Sequence, residues 1–447
     1  MKVLSLIAAI LILLPAMLAA QANGPVFTLQ ECVDMALENN YNLNFAKIDN
    51  RIAHKNYLQS YSNILPSVNF SLSGSKYEQG PTSYIGGTYV GENPNIAPTV
   101  EVTTGRFYSA DLNINQTIFD GGRWYFNIKQ SQWNKRSSDF EFYSAQQNVI
   151  VTVRQLFMDL LKQSELLKVK KQAVGRSEDQ LTRVRSMYEV GSVAQIDVYR
   201  SQVNLGSDQI SLLNQQNTER EARQSLNIAM GRQPDAPLQI DSTVAFEKDV
   251  KDLDSLVQTA LHKNPEVQAQ RYDIRSAEYG VWNARSAFLP NLNAFYGYGR
   301  SVPRFQGLYE EFDREYSWRF GLNLSWNLFN GFSDYLGVQK AELNKRYVSE
   351  QLEYSKLTLE SRVRTLYHNL EALNEIIEVN RTNLNSAQED YRLAEERYRL
   401  GSGTLLDLRD AQVNLATSEQ ILVAAQFDAY ITYAELQQAL GALVPEN

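Results

Sequence analysis

The sequence predicts a mainly α-helical chain that also contributes four strands to a membrane β-barrel, with one helix-strand-strand-helix-helix unit written twice. Three observations carry this reading. The chain repeats itself, four segments alternate between apolar and polar residues, and two long proline-free stretches keep a heptad period. Length alone, 447 residues, would suggest about three domains, but the repeat overrides that prior.

The first element is an export signal. Lys2 precedes a run from Val3 to Leu14 of apolar residues plus Ser5, then Pro15 and a small-residue stretch ending Ala20-Gln21-Ala22. This predicts a signal peptide over residues 1–22, because the run is shorter than the ~20 residues of a spanning helix. No later stretch is apolar enough to span as a helix. Cys32 is the only cysteine, so no intrachain disulfide is expected. It lies well past the small-residue stretch, so no lipid anchor is predicted. His54, His262 and His368 have no metal-ligand spacing, and no metal or cofactor is expected. A net charge of −8 without a Lys/Arg stripe argues against nucleic acid.

The repeat fixes the organisation. At one constant offset Ala36-Leu37 recurs as Ala260-Leu261, Asn40 as Asn264, Asp49 as Asp273, Arg51 as Arg275 and Leu65-Pro66 as Leu289-Pro290. At a slightly smaller offset Phe119-Asp120-Gly121 recurs as Phe329-Asn330-Gly331, Val153-Arg154 as Val363-Arg364 and Gln202-Val203-Asn204-Leu205 as Gln412-Val413-Asn414-Leu415, with Gly231 matching Gly441. The first copy therefore carries a longer insertion between Phe70 and Leu112. The first repeat is expected over 23–231, with strands at about 67–75 and 107–119, a long helix at about 123–188 and a second helix at about 195–230. A linker with Pro234, Pro237 and several aspartates covers 232–253. The second repeat follows over 254–447, with strands at about 291–299 and 317–329, a long helix at about 333–398 and a second helix at about 405–441.

The strands come next. Trp318, Phe320, Leu322, Leu324, Trp326 and Leu328 alternate with Arg319, Gly321, Asn323, Ser325 and Asn327, a period of two that puts the apolar set on one face. Val68, Phe70 and Leu72, then Ala110, Leu112 and Ile114, then Leu292, Ala294 and Tyr296 repeat the pattern. A soluble sandwich with one wet face would read the same for an isolated strand. The loops from Lys76 to Arg106 and from Arg300 to Tyr316, rich in Gly, Pro, Asn and Tyr, favour a membrane barrel. Four strands cannot close in lipid, where open edges go unsatisfied, so the chain must pool its strands with other copies.

The helices are long enough to cross a compartment. No proline lies between Pro98 and Pro234, or from Arg304 to Val444. One seam runs Leu352, Leu359, Val363, Leu366, Leu370, Leu373, Ile377, Asn380, Leu384, Ala387, Tyr391, Ala394, Tyr398, with Lys356 in the skipped position. Steps of three and four residues mean left-handed supercoiling on a neighbour. The first-copy equivalent, from Arg123 to Tyr188, would extend ~100 Å at ~1.5 Å per residue. The second helix keeps a seam of mostly small residues, among them Ala411, Ala425, Ala429 and Ala439 with Leu415, which permits close approach.

This arrangement resembles the TolC family of outer-membrane efflux proteins over essentially the whole mature chain. Leu65-Pro66 and Leu289-Pro290 look like its helix-to-strand junction, and Phe119-Asp120-Gly121-Gly122 and Phe329-Asn330-Gly331 like its return into the helix. Tyr188-Glu189-Val190-Gly191-Ser192 with Asp197, and Tyr398-Arg399-Leu400-Gly401-Ser402 with Asp407, look like its periplasmic helix tips. The resemblance implies a homotrimer with a twelve-stranded β-barrel continued by a long periplasmic α-helical barrel. It implies a passive exit duct of a tripartite efflux or type I secretion system, gated at the tips. The implied partners are outer-membrane lipid, a periplasmic adaptor, and an inner-membrane pump of the resistance-nodulation-division or ABC class.

The same resemblance supplies site residues. Val190, Gly191, Ser192, Leu400, Gly401 and Ser402 would face the adaptor, although a glycine-containing helix turn needs this chemistry in any case. Asp407 and Asp410 would point inward at the closed end, giving six carboxylates in a trimer, a ring that favours cations. Asp407 is equally placed to cap the following helix, as is Asp197 in the first copy. Asp410 has no acidic twin, because Arg200 occupies the matching site. Tyr398 and Tyr188 are read either as core packing or as gate-closing hydrogen-bond donors. At Gly403 the chain departs from the family archetype, which carries a basic residue there. An enzyme is not expected, since no Gly-x-Ser-x-Gly elbow or histidine constellation appears. A periplasmic coiled-coil scaffold is the remaining alternative, and the cargo stays open.

Overall fold

The computed structural model describes residues 26–80, 82–83, 99–100, 103–241, 252–310 and 312–443. The expected signal peptide lies outside the described residues, as do most of the first long loop and 242–251 of the expected linker. The chain forms two compact units. One takes the residues up to Arg51, Arg136–Arg271 and those from Glu350 onward; the other takes Ile52–Lys135 and Tyr272–Ser349. Each unit draws on both sequence halves.

In chain order the elements are β1 (Val26–Phe27), α1 (Leu29–Asn39), α2 (Tyr41–Ser60), β2 (Ser67–Gln79), β3 (Thr82–Ser83), β4 (Thr99–Val100), β5 (Thr103–Asp120), α3 (Arg123–Glu189) and α4 (Gln195–Ala229). The second half gives β6 (Gln239–Ile240), α5 (Leu253–Lys263), α6 (Pro265–Arg285), β7 (Asn291–Val302), the single turn α7 (Gly307–Glu310), β8 (Tyr316–Ser325), α8 (Ser333–Arg399) and α9 (Leu405–Ala439). Helices α3 and α8 are 67 residues each, and α4 and α9 are 35 each. Equal lengths in the two halves follow from ungapped repetition of the sequence.

The second unit contains a four-stranded antiparallel sheet ordered β2-β5-β7-β8. Its register aligns Phe70, Leu112, Tyr298 and Trp318 in one row, and Val68, Ile114, Tyr296 and Phe320 in another. Directly opposed residues share a face, so the apolar sets of all four strands merge into one surface, while Asn69, Asn113, Gly297 and Arg319 lie on the other. Phe320 is 68% and Leu324 67% exposed, so no described residue covers the surface there. Among the described residues, strands β2 and β8 have one neighbour each and leave their outer edges open.

The alternation in the sequence runs to Leu328, and a strand to about 329 was expected, but β8 stops at Ser325. Its partner is the reason. Ser325 pairs with Asn291, the first residue of β7, and before that stands Pro290, which has no N–H to offer. Within the expected linker, Gln239–Ile240 pairs in parallel with Val26–Phe27.

The first unit is helical. Along α8 the heptad seam is buried at Leu352, Leu359, Val363, Leu366, Leu370, Asn380, Ala387 and Tyr398. Polar side chains join α3 to α9 in antiparallel order. Arg154 donates to Gln437 at 2.8 Å, Lys162 to Asp428 at 3.1 Å and Lys170 to Gln420 at 2.9 Å. A core of Val33, Ala36, Phe157, Leu226 and Met230 surrounds Cys32, and burial pushes the Cys32 thiol up to about 11. Cys32 thus serves as a small apolar residue. The repeated asparagines do the same task twice. Asn40 donates to the Ala229 carbonyl at 2.8 Å and Asn264 to that of Ala439 at 3.2 Å, each also accepting from the first turn of the next helix.

Candidate functional site at the helix tips

Both long helices end in the same way. At Gly191 the φ is +76°, the Gly191 N–H donates to Tyr188 at 2.9 Å and the Ser192 N–H to Met187 at 2.8 Å. At Gly401 the φ is +75°, with donation from Gly401 to Tyr398 at 3.1 Å and from Ser402 to Arg397 at 3.0 Å. This 6→1 and 5→2 pattern is a Schellman motif, which satisfies the last carbonyls and needs a left-handed residue. The flanking Val190 and Leu400 are 77% and 70% exposed. The tip residues expected to face an adaptor therefore present two apolar side chains on rigid turns.

The two tips then diverge. At the second, Thr404 and Asp407 form a reciprocal capping box: the Thr404 N–H donates to Asp407 at 3.0 Å and the Asp407 N–H to the Thr404 hydroxyl at 3.1 Å. Bonds from the Thr404 N–H and then its side chain hold the Asp407 carboxyl below its ordinary value. At the first tip Ala194 stands at the cap position without a side-chain bond, and Asp197 lies 3.7 Å from Arg200. Asp410 is exposed, one turn beyond Asp407.

The tyrosines also separate. Tyr398 is buried at 5% exposure in a small core with Val184 and Leu408. Burial, with Asp197 behind it, pushes its phenol above the ordinary value. Tyr188 is 43% exposed. At Gly403 a Cβ would stand 3.2 Å from the Tyr398 backbone nitrogen and from the Arg397 Cβ, so a larger residue there would crowd the turn.

A further group was not singled out in the sequence. Arg409 forks onto Asp208 with bonds of 2.8 and 3.0 Å, and the Ser177 hydroxyl donates to the same carboxylate. Arg409 lies on α9, Asp208 on α4 and Ser177 on α3, so the group fastens both first-copy helices to the second copy. Burial works to raise the Asp208 carboxyl, but bonds from Arg409 and Ser177, with the Arg409 and Lys170 charges, hold it below its ordinary value. The arrangement is a fastening between helices.

The profile of the outer membrane efflux protein family matches residues 32–232 and 256–442. Relatives include the toluene efflux pump outer membrane protein TtgC of Pseudomonas putida, 23% identical over 423 residues, covering 92% of this chain and 82% of that protein. Outer membrane protein TolC of Vibrio cholerae is 23% identical over 344 residues, covering 76% and 78%. Among solved structures, the CmeC outer membrane channel of Campylobacter jejuni superposes with a TM-score of 0.77 at 20% identity, covering 93% of this chain and 85% of that one. A membrane protein from Pseudomonas aeruginosa gives 0.78 at 19% identity, covering 92% and 90%. The chain belongs to the outer membrane efflux protein family, a family of channels rather than of enzymes, and is an outer-membrane efflux channel subunit that extends into the periplasm.

Proposed function

We propose that three copies pool their sheets into one twelve-stranded barrel in outer-membrane lipid, continued by a helical duct that a periplasmic adaptor opens at the tips. The observation that supports this best is the sheet itself, with an uncovered apolar face and two open edges. In lipid such edges must be paired, and a neighbouring copy offers β8 to β2. Repeats over 23–231 and 254–447 would then alternate around the axis. An inner-membrane pump of the resistance-nodulation-division or ABC class would deliver the cargo, and relatives named as efflux pump components favour efflux over type I secretion.

At the tips, Val190, Gly191, Ser192, Leu400, Gly401 and Ser402 would take the adaptor. Asp410 would line the constriction, because its carboxylate is exposed and has no role in the cap. Asp407 and Asp197 would add charge behind it, Asp407 serving first as a helix cap. Tyr398 would hold the closed tip by packing, and Tyr188 would stand at its surface. The Asp208–Arg409 pair would supply the closed-state fastening that Gly403 cannot. Asp410→Ala is expected to weaken block by divalent cations in planar bilayers at least tenfold, since a ring of acids is what attracts them. Unchanged block would remove Asp410 from the gate.

A further inference from the structure

Between α3, α4 and α9 lies a partly open cavity of about 320 Å³ whose wall includes Lys170, Arg176, Asp208 and Arg409. We propose that it is a binding site for a small oxyanion, phosphate- or carboxylate-like, held between the first copy's long helix and the second copy's return helix. The site shares Asp208 and Arg409 with the fastening proposed above, but it needs no second copy, since all the groups named belong to one chain.

Charge makes the first argument. Three cations and one carboxylate line the wall, and that carboxylate is already taken by the two bonds from Arg409. Lys170 donates at 2.9 Å to Gln420, a neutral acceptor, and no ion pair within 4.0 Å is found for it among the described residues. Arg176 has Glu419 as its counterion at 3.6 Å, so Lys170 is the cation of this wall that lacks a carboxylate within 4.0 Å among the described residues. A charge on a half-buried wall without a hydrogen-bonded counterion is costly, and a bound anion relieves that cost.

Shape and lining agree. Small side chains open the space, Ala173, Ser207, Ser211 and Thr417 among them, beside Gln412, Val413 and Gln420. Hydroxyls beside two cations are donors suited to oxygen anions. An apolar ligand would find few partners in such a wall.

The test uses the full chain purified in detergent. Sodium phosphate is titrated by calorimetry at constant ionic strength against sodium chloride. One saturable phosphate site per chain is expected, weakened roughly tenfold in Lys170→Gln, the loss of about one charged hydrogen bond. Ala173→Leu, which fills the cavity and leaves every charge in place, is expected to abolish binding, while Lys170→Arg retains it. No saturable heat in the native chain overturns the proposal. So does phosphate binding that survives both Lys170→Gln and Ala173→Leu, which would mark an adventitious ion only.

Discussion

Asp208→Ala is expected to leave the purified channel conducting in the closed state, with a leak across planar bilayers at least tenfold above that of the native protein. The carboxylate receives both arms of Arg409 and the Ser177 hydroxyl, and the two charged side chains are only 15% and 21% exposed. Removing one partner of a buried pair costs about 3–5 kcal/mol, and partial exposure here reduces that to about 2–3 kcal/mol. At about 1.4 kcal/mol per factor of ten, the balance between fastened and loosened tips would shift roughly 30- to 150-fold. Reversing the charges, Asp208→Arg with Arg409→Asp, is expected to restore part of the closure that either single change loses. Acid should act in the same direction. The Asp208 carboxyl is held below its unfolded value of 3.8, so its contribution is complete above that pH and is lost as pH falls through the folded value. A leak that appears only below pH 3.8 in the native channel, and at all pH values in Asp208→Ala, fits this account. No leak in either condition would make the pair structural only.

Phe320→Arg is expected to have the largest effect on assembly. Phe320 sits mid-strand on the surface shared by Val68, Ile114 and Tyr296, the face assigned to lipid. A charge at the bilayer midplane of a barrel costs about 2–4 kcal/mol, and every copy in an oligomer bears it. Heat-resistant oligomers in the outer-membrane fraction should disappear. Asn323→Arg, on the opposite face of the same strand, should leave the oligomer intact and alter ion selectivity instead. Equal tolerance of both substitutions would contradict the assignment of faces.

Much of this fold was legible in the sequence because its signals are periodic and occur twice. The alternation from Trp318 onward needs only period two to be read, and the seam from Leu352 to Tyr398 only steps of three and four. The seam reports which face of the helix is buried, and the alternation which face of the sheet is apolar. The end of β8 was not legible, because pairing stops where the partner strand begins, and no property of Trp326 to Leu328 records that. The tips were half legible. Their glycines announce the turn and Asp407 announces a cap, but the residue at the cap position itself is Thr404, with Asp407 closing the box from three residues on. The fastening was missed because Ser177, Asp208 and Arg409 are separated along the chain and meet only when three helices pack. A signal did exist in the comparison of the copies. At the matching positions stand Ala387, Ser418 and Tyr199, so none of the three has an equivalent. Departures from an otherwise repeated pattern mark the positions where one copy has a task the other lacks.

Cryo-electron microscopy of the full chain reconstituted in lipid tests the central claim most directly. The account predicts three copies around one axis, a single closed barrel in which β2 of each copy pairs with β8 of the next, and a lumen continuing through the helices. A single copy with both sheet edges free, or sheets stacked face to face without a lumen, would contradict it.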